Sequence, residues 1–134
     1  MDDRSPLDDR STLEVQTRRN LDGMELERSG RLDLALELYE RNVEDGFEGD
    51  WPYGRLVAYY EKIGRFDEAE RVLARAIDVF KASKKRSATD RRSTVQVFRN
   101  RLRLAKKAAK EAARGKARSF EPLPMADEGG ASEV

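Results

Sequence analysis

Glu37, Glu40, Glu44 and Asp45 come nearest on this chain to a constellation that does chemistry, a set of carboxylates close enough to act as an acid–base pair. Their spacing argues otherwise. Residues three and four apart stack along one side of a helix and stay parallel instead of converging on a substrate atom, so the group reads as a solvated helix face. The chain has no histidine and no cysteine. The commonest general base and metal ligand is therefore missing, and with it every His-dependent triad. Thiolate nucleophiles, disulfides and cysteine zinc sites go the same way. Catalysis would have to rest on carboxylates alone. Neither an enzyme nor a cofactor nor a metal site is expected.

The basic residues form the second group. The formal net charge is +1, but it conceals a separation along the chain. Residues 1–80 carry 12 basic and 20 acidic side chains, residues 81–118 carry 15 basic and 2 acidic, and residues 119–134 carry 4 acidic and none basic. Blocks this dense mark interaction surfaces or tails. Lys84, Lys85, Arg86, Arg91, Arg92, Arg99, Arg103, Lys106, Lys107 and Lys110 are the candidates for contact with phosphates. Phe98 is the one aromatic residue among them that could stack on a base. The same segment also suits a capping helix with solvated charges, a helix–helix seam, or electrostatic docking on the acidic part of its own or a second copy. Its apolar face is too thin to favour a membrane surface.

These residues need elements to hold them. With 38% hydrophobic and 40% charged residues, a core forms only where the large apolar side chains concentrate, and they do so between Leu21 and Phe80. Residues 1–11 read as a flexible segment interrupted by Pro6. Ser11 and Glu14 have the capping-box spacing, which predicts a helix from Thr12 to Ser29, ended by Gly30. Leu32, Ala35, Leu36, Leu38, Tyr39 and Val43 have helical periodicity and predict a second helix over Asp33–Glu44. A loop over Gly46–Gly49 leads to Asp50 as N-cap and Pro52 in the first turn of a third helix, which runs to Ile63 before Gly64. A fourth helix spans Asp67–Lys81. Ser83–Asp90 reads as a basic loop and Ser93–Arg114 as a fifth helix, with Val95, Phe98, Leu102, Ala105, Ala109 and Ala112 on one stripe. Residues 115–134, with two prolines and a Gly-Gly pair, read as a disordered acidic tail. The domain is therefore expected over 12–114.

Gly30-Arg31-Leu32-Asp33 recurs as Gly64-Arg65-Phe66-Asp67, 34 residues on. In the same register Ala35 meets Ala69, Leu38 meets Val72, Arg41 meets Arg75 and Val43 meets Ile77. A plain helical bundle shares such turn signals but needs no fixed period. A 34-residue unit of helix, glycine turn and helix resembles the tetratricopeptide repeat. The second unit carries the pattern most fully, through Tyr53, Leu56, Tyr60, Gly64, Phe66, Ala69, Leu73 and Ala76. The first keeps Gly23, Leu26, Gly30, Leu32, Ala35 and Tyr39, but has Arg19 and Asp22 where the family prefers large apolar residues. The resemblance covers about residues 16–82.

That resemblance implies an all-α fold, a short α-solenoid of two tetratricopeptide-like hairpins with a fifth, basic helix capping the open end. It also implies an adaptor or scaffold that holds a peptide or partner protein on a concave helical face. Projected onto this chain, that face includes Asn20, Met24, Glu27, Trp51, Arg55, Ala58 and Lys62. Trp and Arg are favoured anchors in interfaces; Trp51 would equally serve as a plug between hairpins. Some members clamp a partner's C-terminal carboxylate with Lys, Asn and Arg. Asn20 matches one clamp place, but Met24 and Arg55 depart from it, so that ligand is not expected. Partners are thus a protein or peptide, with a second copy or a nucleic acid as alternatives. Met1-Asp2-Asp3-Arg4 leads into no apolar stretch, so neither a secretory signal nor a membrane partner is expected, and a cytoplasmic location is.

Overall fold

A computed structural model describes residues 6–120, with side chains over 10–115. Among the described residues the chain is all-α. It forms α1 (Pro6–Arg28), α2 (Leu32–Glu44), α3 (Trp51–Lys62), α4 (Phe66–Lys81) and α5 (Ala88–Phe120). Each helix packs on the next in sequence, and α2 also touches α4. Arg75 of α4 makes part of that last contact, donating from Nε to the Val43 carbonyl at 3.0 Å and from Nη2 to the Glu44 carbonyl at 2.8 Å. Those are two of the carbonyls that a helix end leaves without intrahelical partners.

The turns explain why the chain reverses where it does. After α1, Gly30 lies at φ +82°, and after α3, Gly64 lies at φ +78°. In both, the glycine N–H donates three residues back, and the following arginine N–H donates five residues back, Arg31 to Leu26 at 2.8 Å and Arg65 to Tyr60 at 2.7 Å. This is the Schellman arrangement, which closes a helix by using its orphan carbonyls. The arginines themselves share a backbone shape, φ −97° and ψ 62° for Arg31 against φ −91° and ψ 69° for Arg65. The 34-residue repetition of sequence is thus a repetition of backbone. At neither glycine would a Cβ meet, among the described residues, any atom within 4 Å beyond its own chain neighbours. Replacement by alanine there costs only the left-handed backbone strain, about 1–2 kcal/mol. Gly30→Ala and Gly64→Ala are therefore expected to lower the unfolding free energy by equal amounts in chemical denaturation. An unequal pair would show that the two turns are not equivalent.

The core runs through α2, α3, α4 and the first half of α5. Tyr39, Tyr53, Leu56, Val57, Val72, Leu73 and Phe80 are wholly buried, with Ala35 and Ala69 beside them at the repeat-matched positions. Phe98 of α5 stacks on Phe80 with centroids 5.3 Å apart and meets Tyr53 edge-on at 6.1 Å, which ties α5 to both α3 and α4. The α1–α2 contact is built differently. Asn42 is wholly buried, donates to the Gln16 carbonyl at 2.9 Å and accepts from Arg19 Nη1 at 3.0 Å. Arg19 also reaches Asp45 at 2.7 Å, and Gln16 donates to the Asp45 carbonyl at 3.3 Å. Arg19, a charged residue on the side of α1 that faces α2, is accommodated by this polar lattice.

Three boundaries differ from the sequence expectation by more than one residue. From Pro6 the flexible lead expected over 1–11 is already helix, because proline at a first helical position loses no hydrogen bond; the rest of that lead lies outside the described residues. The loop expected over Ser83–Asp90 ends at Ser87, whose Oγ accepts from the Asp90 N–H at 3.1 Å and caps α5. Gly115 does not stop α5, which continues to Phe120. One glycine inside a helix costs about 1 kcal/mol against alanine, too little to break a long one. Of the tail expected over 115–134, residues 115–120 are helical and the remainder lies outside the described residues.

Candidate functional site

Where the end of α1, the middle of α2 and the first turns of α3 meet, four side chains close a circuit. Trp51 Nε1 donates to the Tyr39 hydroxyl at 3.0 Å, and that hydroxyl donates to Glu27 Oε2 at 2.5 Å. Arg55 grips the same carboxylate, Nη2 to Oε1 at 2.5 Å and Nε to both oxygens at 3.2 Å. The Arg55 guanidinium then lies over the Trp51 ring, 5.7 Å from its centroid. The positions follow from helix geometry. Trp51 and Arg55 are four apart on α3, hence on one side of it, and Glu27 occupies the last turn of α1 across from them.

The electrostatics follow the contacts. Burial works to raise the pKa of Glu27, but the bonds from Arg55 and Tyr39 and the Arg55 charge outweigh it and hold the carboxyl below its ordinary 4.5. Burial, reinforced by the Glu27 carboxylate, pushes Tyr39 up to about 12. A depressed carboxyl adds stability that is present above its unfolded pKa and lost as pH falls through the folded one. Glu27→Gln is therefore expected to be less stable than the wild type at neutral pH by about 1.5–3 kcal/mol, the scale of a hydrogen bond to a charged group. The gap should close as pH drops below about 4.5. Arg55 is 44% exposed, so the Coulombic part is small and the hydrogen bonds carry the difference. Denaturation curves recorded between neutral and acidic pH check this, and a gap independent of pH would refute the assignment.

Beside the circuit lies a cleft of about 250 Å3 lined by Glu27, Arg55, Ala58 and Lys62 together with Leu32, Leu36 and Tyr59. Four of the seven residues projected onto a binding face thus line one cleft, and Trp51, 41% exposed, adjoins it through Arg55. Trp51 is at once a bridge between α2 and α3 and an accessible surface. Asn20 and Met24 are half-buried on α1 and are not in this lining. Asn20 Oδ1 is buried and has no hydrogen-bond partner among the described residues.

Two of the four carboxylates considered as chemical candidates are occupied. Glu40 accepts the Tyr60 hydroxyl at 2.5 Å and Arg71 Nη2 at 2.6 Å, and Asp45 is held by Arg19. Glu37 and Glu44 are exposed, on a shallow cleft of about 500 Å3 shared with Arg41, Arg71 and Arg75. Among the described residues, no three of His, Cys, Asp and Glu are grouped to hold a metal ion.

The ten basic candidates divide. Arg86 is half-buried, donates to the Glu48 carbonyl at 3.0 Å and to Asp90 at 3.0 Å, and lies over Phe80 at 4.8 Å. Arg91 donates to the carbonyls of Ser83 and Arg86 at 3.1 and 2.9 Å. These two hold the α4–α5 connection in shape. Lys84, Lys85, Arg92, Arg99, Arg103, Lys106, Lys107 and Lys110 are exposed.

Sequence reasoning places Tyr39 in the core and leaves out its hydroxyl, which joins Glu27 to Trp51. The signal was faint: a tyrosine in an apolar stripe needs a partner for its O–H once buried. Leu32 and Leu36 are packing positions in the sequence pattern and Tyr59 has no assigned place in it, yet all three line the cleft. No helix among the described residues is long and apolar enough to cross a membrane. Searches of family models, of curated proteins and of solved structures find no match to this chain.

Proposed function

We propose that this chain is a protein-interaction module of the tetratricopeptide-like kind, a short solenoid of two helical hairpins capped by α5, acting in the cytoplasm as an adaptor and not as an enzyme. The equal backbone at Gly30 and Gly64, 34 residues apart, and the succession of helix contacts support the architecture. The observation that carries the function is the cleft at Glu27, Arg55, Ala58 and Lys62, which gathers residues projected onto a binding face from the repeat alone.

Its chemistry suits a peptide. At about 250 Å3 it is smaller than the ~300–1,000 Å3 usual for small-molecule pockets and takes one or two side chains. Leu32, Leu36 and Ala58 offer an apolar floor, while Lys62, exposed at the rim, forms no ion pair among the described residues. Glu27 and Arg55 are already neutralised by each other, so they give a rigid wall instead of a competing charge. A partner segment with an apolar residue next to an acidic one matches this surface. Display selection of a random peptide library on the full chain tests the reading, with Ala58→Arg filling the cleft from an exposed position. Enriched peptides should carry that pair and bind the variant at least tenfold more weakly, a loss of about 1.4 kcal/mol. Peptides that bind both proteins equally, or no enrichment, would overturn it.

A further inference from the structure

We propose that the solvent side of α5 is a binding surface for the phosphodiester backbone of a nucleic acid. With Arg86 and Arg91 holding the α4–α5 connection, five of the eight exposed basic candidates form a row, while Lys84 and Lys85 precede α5 and Lys107 lies off the row. Arg92, Arg99, Arg103, Lys106 and Lys110 follow one another at steps of seven, four, three and four residues, with Gln96 filling the long step. All are exposed, and among the described residues none of the five cations forms an ion pair. The row lies beside the buried stripe of Val95, Phe98 and Ala105, so docking of α5 onto α3 and α4 fixes its direction. Three or four residues advance a helix by about 5–6 Å, and the whole row spans about 27 Å in a straight line. A duplex strand offers one phosphate per about 3.4 Å of axis, so each long, flexible stem has a phosphate within reach.

The upstream end of the row opens into a second cleft, of about 340 Å3, where Lys81 at the end of α4 faces Arg91, Arg92, Arg99 and Gln96 over Val95. Its lining holds four cations and an amide donor and no carboxylate. Such a setting suits a phosphate group and is unfavourable when left without an anion.

Other anionic partners fit less well. A membrane surface requires apolar side chains beside the charges. The exposed apolar residues of α5, Val97 and Leu104, lie about a third of a turn away from the row. An acidic protein segment would be read through pockets between the charges, whereas a row of cations with a cleft at one end reads a uniform backbone. The acidic half of the chain, residues 1–80, keeps such a polyanion to the α5 side.

The test is fluorescence polarisation of the full chain with a short labelled single-stranded RNA and a short labelled DNA duplex, across about 50–200 mM salt. Five phosphate contacts predict a log–log slope near −4.5 for the duplex and a loss of roughly 10²–10³-fold in affinity over that range. The triple variant Arg99→Gln, Arg103→Gln, Lys106→Gln should keep its helical circular dichroism and lose about 2.7 units of slope. Polyglutamate and vesicles rich in phosphatidylserine form the other arms and should bind far more weakly. A slope shallower than about −1 in the wild type would overturn the proposal. So would a triple variant with unaltered slope, or equal affinity for polyglutamate or the vesicles.

Discussion

Phe98→Ala is expected to lower the unfolding free energy by about 3–5 kcal/mol, the usual cost of emptying a buried phenylalanine site. The ring is 4% exposed, lies flat on Phe80 and meets the edge of Tyr53. No other side chain of α5 makes aromatic contact with two helices at once among the described residues. Its neighbours on the buried stripe, Val95 and Ala105, are small and cannot fill the void without moving the helix. Two readouts follow. Chemical denaturation should show the loss, and helical circular dichroism should fall if α5 undocks, since a helix rich in like charge gains little stability on its own. A decrease below about 1 kcal/mol would mean that α5 rests on its connection and not on its packing.

Gly23→Val should be the most damaging change on α1, destabilising by roughly 2–4 kcal/mol through overpacking together with the hydrogen bonds it displaces. A Cβ on Gly23 would sit 2.5 Å from Cε1 of Tyr39 and 3.0 Å from its Cζ. The end of a surface side chain would yield to it. Tyr39 cannot, being wholly buried and fixed through its hydroxyl by Glu27 and Trp51. Moving that ring breaks both bonds and leaves Glu27 with Arg55 alone. The substitution acts against the helix propensity gained by replacing glycine, about 0.5–1 kcal/mol, so a wild-type stability would place the closest approach of α1 and α2 somewhere other than Gly23. The same variant should weaken any ligand of the neighbouring cleft, since its wall depends on where Glu27 is held.

The all-helical class and the three glycine-closed turns were legible because glycine at a helix end and apolar periodicity are local signals. Gly30, Gly46 and Gly64 all adopt positive φ. The starts of α1 and α5 were not legible for the same local reason. Pro6 reads as an interruption although proline is compatible with a first helical position, and Ser87-Ala88-Thr89-Asp90, which has the Ser-x-x-Asp form of an N-terminal cap, is masked in the pattern by the basic residues before it.

The α1–α2 interface illustrates a deeper limit. Periodicity finds helices that bury apolar residues, whereas the described residues of α1 that are buried are Gln16 and Gly23, with Arg19 and Leu26 half-buried beside them. Its partners, Asn42 and Asp45, lie 23 and 26 residues from Arg19, and nothing in either segment announces the other. The candidate site divides along the same line. Glu27, Arg55, Ala58 and Lys62 were reached through the repeat, which supplies a three-dimensional frame that spacing alone lacks. Tyr39 was missed because its role lies in one oxygen atom and not in its place on the stripe.

Trp51 is the only tryptophan in the chain, and its indole is held between a tyrosine hydroxyl and a guanidinium at the lip of the cleft. The protein consequently contains its own optical probe, positioned where a ligand would arrive. Excitation selective for indole reports from that single location without any attached dye. A shift in its emission maximum would register occupancy of the cleft, while quenching by iodide would measure how far a visitor shields the exposed edge.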